Sequence, residues 1–418
     1  MHPAHVAALV EGFAGIKRTT GQHPGGIMVV PRNMDIHYIT PMNRPADDKD
    51  GTTITTHYDY HSINDRLVKL DILGHDDPTA LKMLGDLTGL NPREIALNDV
   101  DTMALFSNLS TLNINLDKLQ CDVGSLGIPE FGTGFVRQML MDTRPTTMEE
   151  LVRISGLSHG TDVWLSNAQT LVLNGTATLS EAICTRDDIM NYLIANGCEP
   201  SISFKTMESV RKGKGLTPEM EAAMREKKIP EWYIDSCKKI KYMFPRAHAA
   251  AYVMMAFRVA YYKVHFPLEF YTVYYTVRAD DFDIEKSMGG AQNVLKNIME
   301  IRGKGKENID AKEQSVLTIL EIVYEMNLRG FELLPVDIYS SEATRFKIEN
   351  GFIRPPFSSI PGVGANAAEA LARARAGGRF ASIEDFQTRS KANTAVMGLL
   401  RKMGCLNGLP ETNQISLF

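Results

Sequence analysis

The chain shows two hydrophobic patterns, a strand-like one near its beginning and a helix-like one over most of the rest. Residues 67–73 are apolar at five of seven positions and end at Gly74, which predicts a strand. A second strand is predicted over residues 27–30, after a pair of glycines. Helices are predicted over residues 77–87, 135–141 and 249–264, with two more between 286 and 330 and short strands over 341–353. The pattern favours an α+β chain that is mainly helical.

Two charged residues interrupt the strand predicted over 67–73. Lys69 and Asp71 are two positions apart, so both side chains leave the same face of a strand. Such a pair costs desolvation free energy on a mostly apolar strand unless it has a use. Phosphate chemistry is one use, with Asp71 holding a divalent metal and Lys69 meeting phosphate oxygens. The alternative is an ion pair at a strand edge.

Composition places the chain among globular proteins and gives no overall sign of a nucleic-acid binder. The 418 residues are 44% hydrophobic and 23% charged, with a net charge of −5. Charge is nevertheless segregated, because residues 35–101 contain 6 Lys or Arg against 13 Asp or Glu, whereas residues 205–246 contain 11 against 6. This distribution suits an acidic metal-binding part and a basic part that faces an anionic polymer, although a solvated helix face would also give the basic run.

The compartment is predicted from the cysteines and the longest apolar segment. None of the five cysteines forms a CxxC pair, which argues against a zinc knuckle or a disulfide framework and favours a reducing cytoplasm. The most apolar long segment, residues 249–277, contains Arg258, Lys263, His265 and Glu269. A bilayer would not accept these side chains, so we predict a buried or amphipathic helix and no membrane partner.

A polar strand predicted around residue 59 offers a rival chemistry. Strand alternation would place His57, Asp59 and His61 on one face, a spacing that could ligate a transition metal. A metallohydrolase is therefore an alternative enzyme, although no HExxH pair is present. A hydrogen-bonded polar strand face is the simpler interpretation.

Two polar loops are candidates for contact with nucleotides or phosphates. The first loop, residues 17–26, gathers Arg18 and His23 ahead of a strand and could position phosphate, although a polar surface turn has the same composition. The second, residues 154–164 (ISGLSHGTDVW), is predicted as a compact polar loop in which His159 could line a small-molecule pocket. Its Ser, His and Asp do not amount to a hydrolase triad, whose members must converge in space.

Basic residues lie close to the start of two later helices. Lys212 and Lys214 lie in a flexible basic loop before a helix that Thr217 is predicted to cap, and such loops either follow phosphates or keep a helix end soluble. Arg246 and His248 lie at the N-terminal side of the helix predicted over 249–264, where the helix dipole also favours an anion. We interpret this helix start as facing a triphosphate.

The last part of the chain carries a hairpin signature and an apolar tail. Gly362, Val363 and Gly364 follow Ile-Pro and open an alanine-rich helix, the helix-hairpin-helix pattern whose backbone N–H groups bind DNA phosphates without reading sequence. A tight turn between two helices is the structural alternative. The chain ends in QISLF, where Gln414, Leu417 and Phe418 suit docking into a partner groove, unless the terminus is merely disordered.

Five of these stretches, in order, resemble the C-terminal part of the PolC-type replicative DNA polymerase III family: KRTTGQHPGGIMVVP, KLDILGHDDPTALKML, ISGLSHGTDVWLSNAQ, KKIKYMFPRAHAAAYV and QISLF. The resemblance implies a partial nucleotidyltransferase-like palm over residues 1–95, mainly helical fingers over 96–275, and a duplex-binding tail over 276–418. That tail would hold the helix-hairpin-helix at 357–376 and a clamp-binding motif at 414–418.

The resemblance also assigns roles to individual residues. Asp71 matches the family's third palm carboxylate, and Lys69 the basic residue beside it. Arg246 and His248 fall near the incoming nucleotide, with Arg18 and His159 as further phosphate contacts. Lys212, Lys214 and residues 362–364 would contact DNA, and Gln414, Leu417 and Phe418 would dock on the sliding clamp.

The function implied is a DNA-dependent DNA polymerase that adds dNTPs to a primer 3′-hydroxyl with two Mg²⁺ ions. Its expected partners are primer–template DNA, dNTPs, a sliding clamp and other replisome subunits. The family's other two catalytic carboxylates belong to an Asp-Ile-Asp motif that this sequence lacks. We therefore expect a fragment that is inactive alone. The alternative is a non-catalytic module that binds DNA and the clamp.

Overall fold

The computed structural model describes residues 2–16, 20–23, 25–48, 50–72 and 74–413. They form two compact units, which divide between His75 and Asp76. The predicted phosphate contact Arg18 and the predicted clamp-binding residues Gln414, Leu417 and Phe418 lie outside the described residues. The limits predicted for palm, fingers and tail, at residues 95 and 275, remain predictions.

The first unit contains one α-helix, three short 3₁₀ helices and two small antiparallel sheets among its described residues. Its elements are α1 (Pro3–Phe13), β1 (Gly26–Val29), β2 (Met42–Asn43), β3 (Thr55–Thr56) and β4 (Val68–Asp71). β1 pairs with β4, and β2 with β3. Both predicted strands are present: β1 has the predicted length but begins one residue earlier, and β4 is three residues shorter than the sequence pattern indicated. Buried apolar side chains are few here: Ile63 and Leu67 precede β4, and α1 buries none of its residues.

The second unit is mainly helical. Its elements are α2 (Asp76–Thr88), α3 (Val100–Ala104), α4 (Gly134–Thr143), α5 (Met148–His159), α6 (Gln169–Leu173), α7 (Arg186–Ala195), α8 (Pro200–Arg211), α9 (Pro218–Glu226), α10 (Glu231–Lys239), α11 (Arg246–His265), α12 (Pro267–Val277), α13 (Ile284–Ser287), α14 (Gly290–Arg302), α15 (Ala311–Leu328), β5 (Lys347–Glu349), β6 (Phe352–Arg354), α16 (Ala365–Ala374), α17 (Ile383–Ser390) and α18 (Thr394–Lys402).

The long helix α11 packs against α2, α5 and α12 and organises the core of this unit. Small residues in its sequence, such as Ala249, Ala256 and Ala260, let neighbouring helices approach closely, and all three are buried. Pro245 precedes the first turn, where its fixed φ suits a helix start. α12 adds three fully buried aromatic rings, each of which contributes about 2–3 kcal/mol of hydrophobic free energy on burial.

Capping residues set several boundaries as the sequence indicated. Thr217 accepts a hydrogen bond from the backbone N–H of Met220 at the start of α9, where Pro218 is the first helical residue. The two helices predicted between 286 and 330 are α14 and α15. One prediction was wrong: residues 154–159 are not a polar loop but the last turns of α5, because Thr147 and Glu150 form a capping box that starts this helix early.

The fold class is confirmed at its coarser level, since the described chain is mostly helical with small sheets and a hairpin near its end. Within the described residues no helix is both long and apolar enough to cross a membrane. All five cysteines are free, and four of them are buried.

Candidate nucleotide and DNA contact sites

Lys69 and Asp71 lie on one face of β4, as the spacing predicted. The Lys69 ammonium is 2.9 Å from the Asp71 carboxylate, and their side chains are 23% and 56% exposed. The Lys69 ammonium makes a cation–π contact with Tyr60, whose ring centroid is 5.0 Å from Nζ. Gly26 pairs with Asp71 across the two strands, and the side chains of Lys69 and His23 fill the space where a Cβ on Gly26 would lie. An exposed carboxylate beside a held cation could bind a divalent metal and a phosphate.

A cleft with a volume of about 910 Å³ opens beside Lys69 in the first unit. Its wall includes His23, His57, His61 and Tyr58, so it offers several hydrogen-bonding rings. A volume of this size is within the range of small-molecule sites.

The prediction that residues 57–61 form a metal-binding strand face is wrong. β3 ends at Thr56, and Asp59 caps a short 3₁₀ helix by accepting the backbone N–H of His61. Nδ1 of His57 lies 2.8 Å from the amide nitrogen of Asn43. Because the strand ends before these residues, alternation does not align them. Among the described residues no group of three or more potential ligands could hold a metal ion.

Arg246 fixes the start of α11 to two other helices. Its guanidinium contacts the carboxylates of Glu149 on α5 and Asp188 on α7, the latter at 3.1 Å. Its backbone N–H donates to Asp187 at 2.9 Å. Burial raises the pKa of Glu149, but the Arg246 hydrogen bond and charge outweigh burial, so this pKa lies below its ordinary value. Arg246, the predicted phosphate contact, therefore already has carboxylate partners that balance its charge. It would have to exchange these partners to bind a phosphate.

A row of stacked rings begins at His159 and continues onto α11. The His159 ring stacks on Phe244 at 4.6 Å, Phe244 meets the edge of His248 at 4.9 Å, and His248 stacks on Tyr252 at 4.5 Å. A backbone bridge between Thr161 and Tyr242 holds the two segments together. His248 is exposed. An aromatic row that passes a helix N-terminus can stack a base and place its phosphates near the helix dipole.

The predicted loop residue His159 is instead the last residue of α5, and both of its ring nitrogens have protein neighbours. Nδ1 donates to the backbone oxygen of Ser155 at 2.8 Å, and Nε2 lies 3.2 Å from the carboxylate of Glu130. Glu130 has a positive φ of 65°, a conformation that costs free energy in a residue other than glycine. His159 is thus held in orientation against Phe244 and has no ring nitrogen directed only at solvent.

Sequence reasoning overlooked Phe244, Tyr252 and Glu130. His248 and Tyr252 are four residues apart, which places both rings on one face of a helix, and this signal was available. Phe244 precedes α11, so helical spacing does not predict its place in the row. Glu130 gave no local signal, because it reaches His159 only through the folding of a turn 29 residues earlier in the chain.

The basic loop after α8 is partly neutralised. Lys212 and Arg211 both pair with Glu208, at 3.0 and 2.6 Å, and these two partners lower the pKa of Glu208 to about 2. None of the ion pairs among the described residues includes Lys214. Gly213 lets the loop approach the segment before α11, because an added Cβ would lie 2.5 Å from the Lys241 backbone oxygen, and its φ is 69°.

The glycine-rich hairpin near the end of the chain has the predicted form. A 3₁₀ turn at residues 357–359 leads through Gly362, with φ of 91°, to Gly364 at the N-cap of α16. Nothing lies within 4 Å of the position where a Cβ on Gly364 would be. Val363 is buried and anchors the loop. The first backbone N–H groups of α16 are therefore open to an approaching anion.

These features describe a mainly helical chain with a helix-hairpin-helix near its end. Sequence models of three family domains match the chain. The bacterial DNA polymerase III alpha NTPase domain matches residues 2–74, the bacterial DNA polymerase III alpha subunit finger domain matches 77–230, and a helix-hairpin-helix motif matches 330–415.

The chain belongs to the PolC-type DNA polymerase III family. It is 54% identical over 418 residues to the DNA polymerase III PolC-type of Caldanaerobacter subterraneus, covering 100% of this chain and 30% of that protein. It is 56% identical over 415 residues to that of Clostridium perfringens and 54% identical over 418 residues to that of Bacillus subtilis, covering 99% and 100% of this chain and 29% of each relative. The chain thus spans about three tenths of the length of these relatives.

Proposed function

We propose that this chain forms part of a replicative DNA polymerase, contributing one palm carboxylate, a nucleotide-contacting helix start and a duplex-binding hairpin. The observation that carries the proposal is the identity of more than 50% along the whole chain to PolC-type polymerases. The geometry agrees with it, because an exposed carboxylate, an aromatic row beside a helix N-terminus and a hairpin are each present. We further propose that the chain corresponds to a C-terminal part of a longer polymerase, with the predicted palm, fingers and tail.

Asp71 is the proposed catalytic residue, with Lys69 beside it as a phosphate contact. Its carboxylate oxygens are the donors that Mg²⁺ prefers. One carboxylate cannot position two metal ions, so the remaining ligands would come from elsewhere in a longer polypeptide. Bound there, magnesium would favour ionisation of the attacking hydroxyl and stabilise charge on the phosphates. Lys69 already orients the carboxylate through its 2.9 Å contact.

Substrate contacts are proposed for the second unit. Phe244 and His248 would pack against the incoming dNTP, while Arg246 and His159 would hold this surface in place or meet the phosphates after exchanging partners. Lys212, Lys214 and the 362–364 hairpin would contact the backbone of primer–template DNA. Gln414, Leu417 and Phe418 would dock on a sliding clamp, which in turn would bring the chain to other replisome subunits.

Primer extension tests the catalytic proposal. This chain and a longer polypeptide of PolC-type length would be compared with Mg²⁺ and dNTPs, each with Asp71 or Asp71→Asn. We expect activity only in the longer polypeptide, and a loss on the order of 100-fold or more with Asp71→Asn at unchanged DNA affinity. Asp65→Asn, an exchange at another exposed carboxylate of the same unit, is the matched control.

The hairpin geometry favours a second candidate, a non-catalytic module that binds DNA and the clamp. In that case Asp71→Asn would leave extension by the longer polypeptide unchanged. The same experiment therefore separates the two functions. Robust extension by the present chain alone would contradict the proposal that other ligands are needed.

A further inference from the structure

A cavity of about 320 Å³ lies in the helical unit, apart from the elements that carry the nucleotide and hairpin contacts. Its wall is formed by the first turns of α4, the segment of residues 119–121 and the last residue of α14. The volume corresponds to roughly ten water molecules. None of the described side chains that line it is acidic.

Two arginines on this wall share one carboxylate. Arg137 on α4 and Arg302 at the end of α14 donate to opposite oxygens of Glu321 on α15, at 3.1 and 2.7 Å. The side chains of Arg137 and Glu321 are only 11% and 9% exposed. One carboxylate therefore faces two guanidinium groups, of which Arg137 is buried and Arg302 is 30% exposed, so the cluster carries a net positive charge. A second anion would complete the balance.

The guanidinium of Arg137 also has hydrogen-bonding capacity left over. Its Nε and Nη1 are buried and have no hydrogen-bond partner in the described part of the chain. An unsatisfied buried donor costs about 1–3 kcal/mol, and charged donors cost more. These two nitrogens have almost no accessible surface, so a ligand in the cavity would reach them only after the Arg137 side chain moved. The adjacent N–H groups of a guanidinium match the spacing of two oxygens of an oxyanion. Gly134 places the N-terminal turn of α4 on the same wall, where the helix dipole adds to the attraction.

We propose that this Arg137–Arg302 pocket binds a phosphate-type oxyanion, either a free phosphate or diphosphate or a phosphate of a nucleic-acid backbone. The pocket is separate from the proposed catalytic and nucleotide sites, because it uses none of their residues. Its ligand is selected by charge and by oxygen acceptors, and its volume admits a diphosphate with some water. The exposed side chain of Gln138 stands on the rim, where its amide donates to the carboxylate of Asp142 at 2.8 Å.

Calorimetric titration with inorganic phosphate and with pyrophosphate, at an ionic strength held constant with sodium chloride, tests the proposal on the full chain. We expect Arg302→Gln to weaken anion binding at least tenfold. Arg373→Gln, which removes the same charge from an exposed position on α16, is the matched control and should bind as the unmodified chain does. Equal binding by Arg302→Gln and the unmodified chain would overturn the proposal, as would equal weakening by Arg373→Gln.

A second variant keeps the test decisive if Arg302→Gln unfolds. Gln138→Glu adds a carboxylate to the exposed rim without removing a buried partner, and it should also weaken binding at least tenfold. Unchanged binding by this variant would count against the pocket. Competition then identifies the source of the phosphate group: displacement of pyrophosphate by a single-stranded oligonucleotide indicates a backbone phosphate, and retention of pyrophosphate indicates the free anion.

Discussion

The ammonium of Lys263 lies 2.8 Å from the carboxylate of Glu325, and both side chains are completely buried. Lys263 uses its other two protons on the backbone oxygens of Gly124 and Leu126, at 2.7 and 2.6 Å. The hydroxyl of Tyr271 donates to the same carboxylate at 2.7 Å. Burial lowers the pKa of Lys263 to about 8, although the charge of Glu325 opposes that shift. This network joins α11, α12 and α15 to the turn that presents Glu130 to His159.

Lys263→Met should destabilise the helical unit strongly. The exchange leaves the Glu325 charge buried without a cation, and breaking a buried pair on one side costs about 3–5 kcal/mol. Denaturant unfolding followed by circular dichroism measures the change in free energy of unfolding. Lys286→Met is the control, because its ion pair with Asp283 is partly exposed and should contribute no more than about 1 kcal/mol.

The combined variant Lys263→Met/Glu325→Gln distinguishes a lost ion pair from lost packing. Removing the uncompensated charge while keeping an acceptor for Tyr271 should make the double exchange less costly than the sum of the single exchanges, by about 1–3 kcal/mol. Additive costs would mean that Lys263 acts through packing alone.

Local sequence patterns were sufficient to predict structural features that depend on residues only a few positions apart. The shared face of Lys69 and Asp71 follows from strand alternation, and the cap at Thr217 from the Pro-Glu that follows it. Lys263 was noticed only as a residue that excludes a membrane span, because its partner Glu325 lies 62 residues later. Pairing between distant helices is set by packing geometry, which hydrophobic periodicity does not contain.

The same reasoning explains the errors. Alternation grouped His57, Asp59 and His61 only while the segment was assumed to be extended, and Asp59 instead uses its carboxylate to start a 3₁₀ turn. The helix ending at His159 was interpreted as a loop because Ser, Gly and His are frequent in loops, whereas the capping box at Thr147 lies a whole helix earlier. Local composition was outweighed by a start signal several turns away.

Glu208→Gln should strengthen DNA binding by this chain. The Glu208 carboxylate neutralises Arg211 and Lys212, so its removal releases cations toward the phosphate backbone. Each additional phosphate that these cations neutralise should steepen the dependence of log affinity on log salt concentration by about 0.9. Lys214→Gln should weaken binding and make that dependence shallower by a similar amount. Fluorescence anisotropy with duplex DNA at several salt concentrations measures both, and an unchanged salt slope in both variants would exclude the loop from the DNA interface.

Glu208 should also contribute a pH-dependent part of stability. Its pKa falls from 4.5 to about 2 in the folded chain, so the unfolded chain binds more protons between these pH values. The contribution is complete above pH 4.5 and is lost as the pH falls through about 2. The difference in unfolding free energy between the unmodified chain and Glu208→Gln should therefore become smaller as the pH falls from 4.5 to about 2. We expect less than about 1 kcal/mol at neutral pH, because the pair is near the surface.

Two glycines of the hairpin should respond differently to alanine. Gly362 has a φ of 91°, so Gly362→Ala should cost about 1 kcal/mol or more in stability and also weaken duplex binding. Gly364 has an ordinary φ of −74° and open space around it, so Gly364→Ala should cost less than about 1 kcal/mol, through the preference of the N-cap for glycine over alanine. If a phosphate approaches the start of α16, the added methyl group should still weaken duplex binding. Normal binding by Gly364→Ala would place the phosphate elsewhere.

Phe244→Leu should impair the use of dNTPs by a longer, active polypeptide. The exchange keeps an apolar side chain but removes the ring that stacks on His159 and meets His248. Stacking between a base and an aromatic ring contributes about 1–3 kcal/mol, so we expect the KM for dNTP to rise roughly 5- to 150-fold. Primer extension at varied dNTP concentration measures KM and kcat separately.

Tyr242→Leu is the matched control for that exchange. Tyr242 is two residues earlier and partly exposed, and only its backbone atoms join Thr161 in the bridge between the two segments. This variant should therefore keep a normal KM for dNTP. Glu130→Gln gives the intermediate case, because it retains the size of the side chain near His159 but removes the charge that restrains the ring. A raised KM in Phe244→Leu and Glu130→Gln, with none in Tyr242→Leu, would tie nucleotide binding to the stacked row, and equal KM values in all three would exclude that row from the nucleotide site.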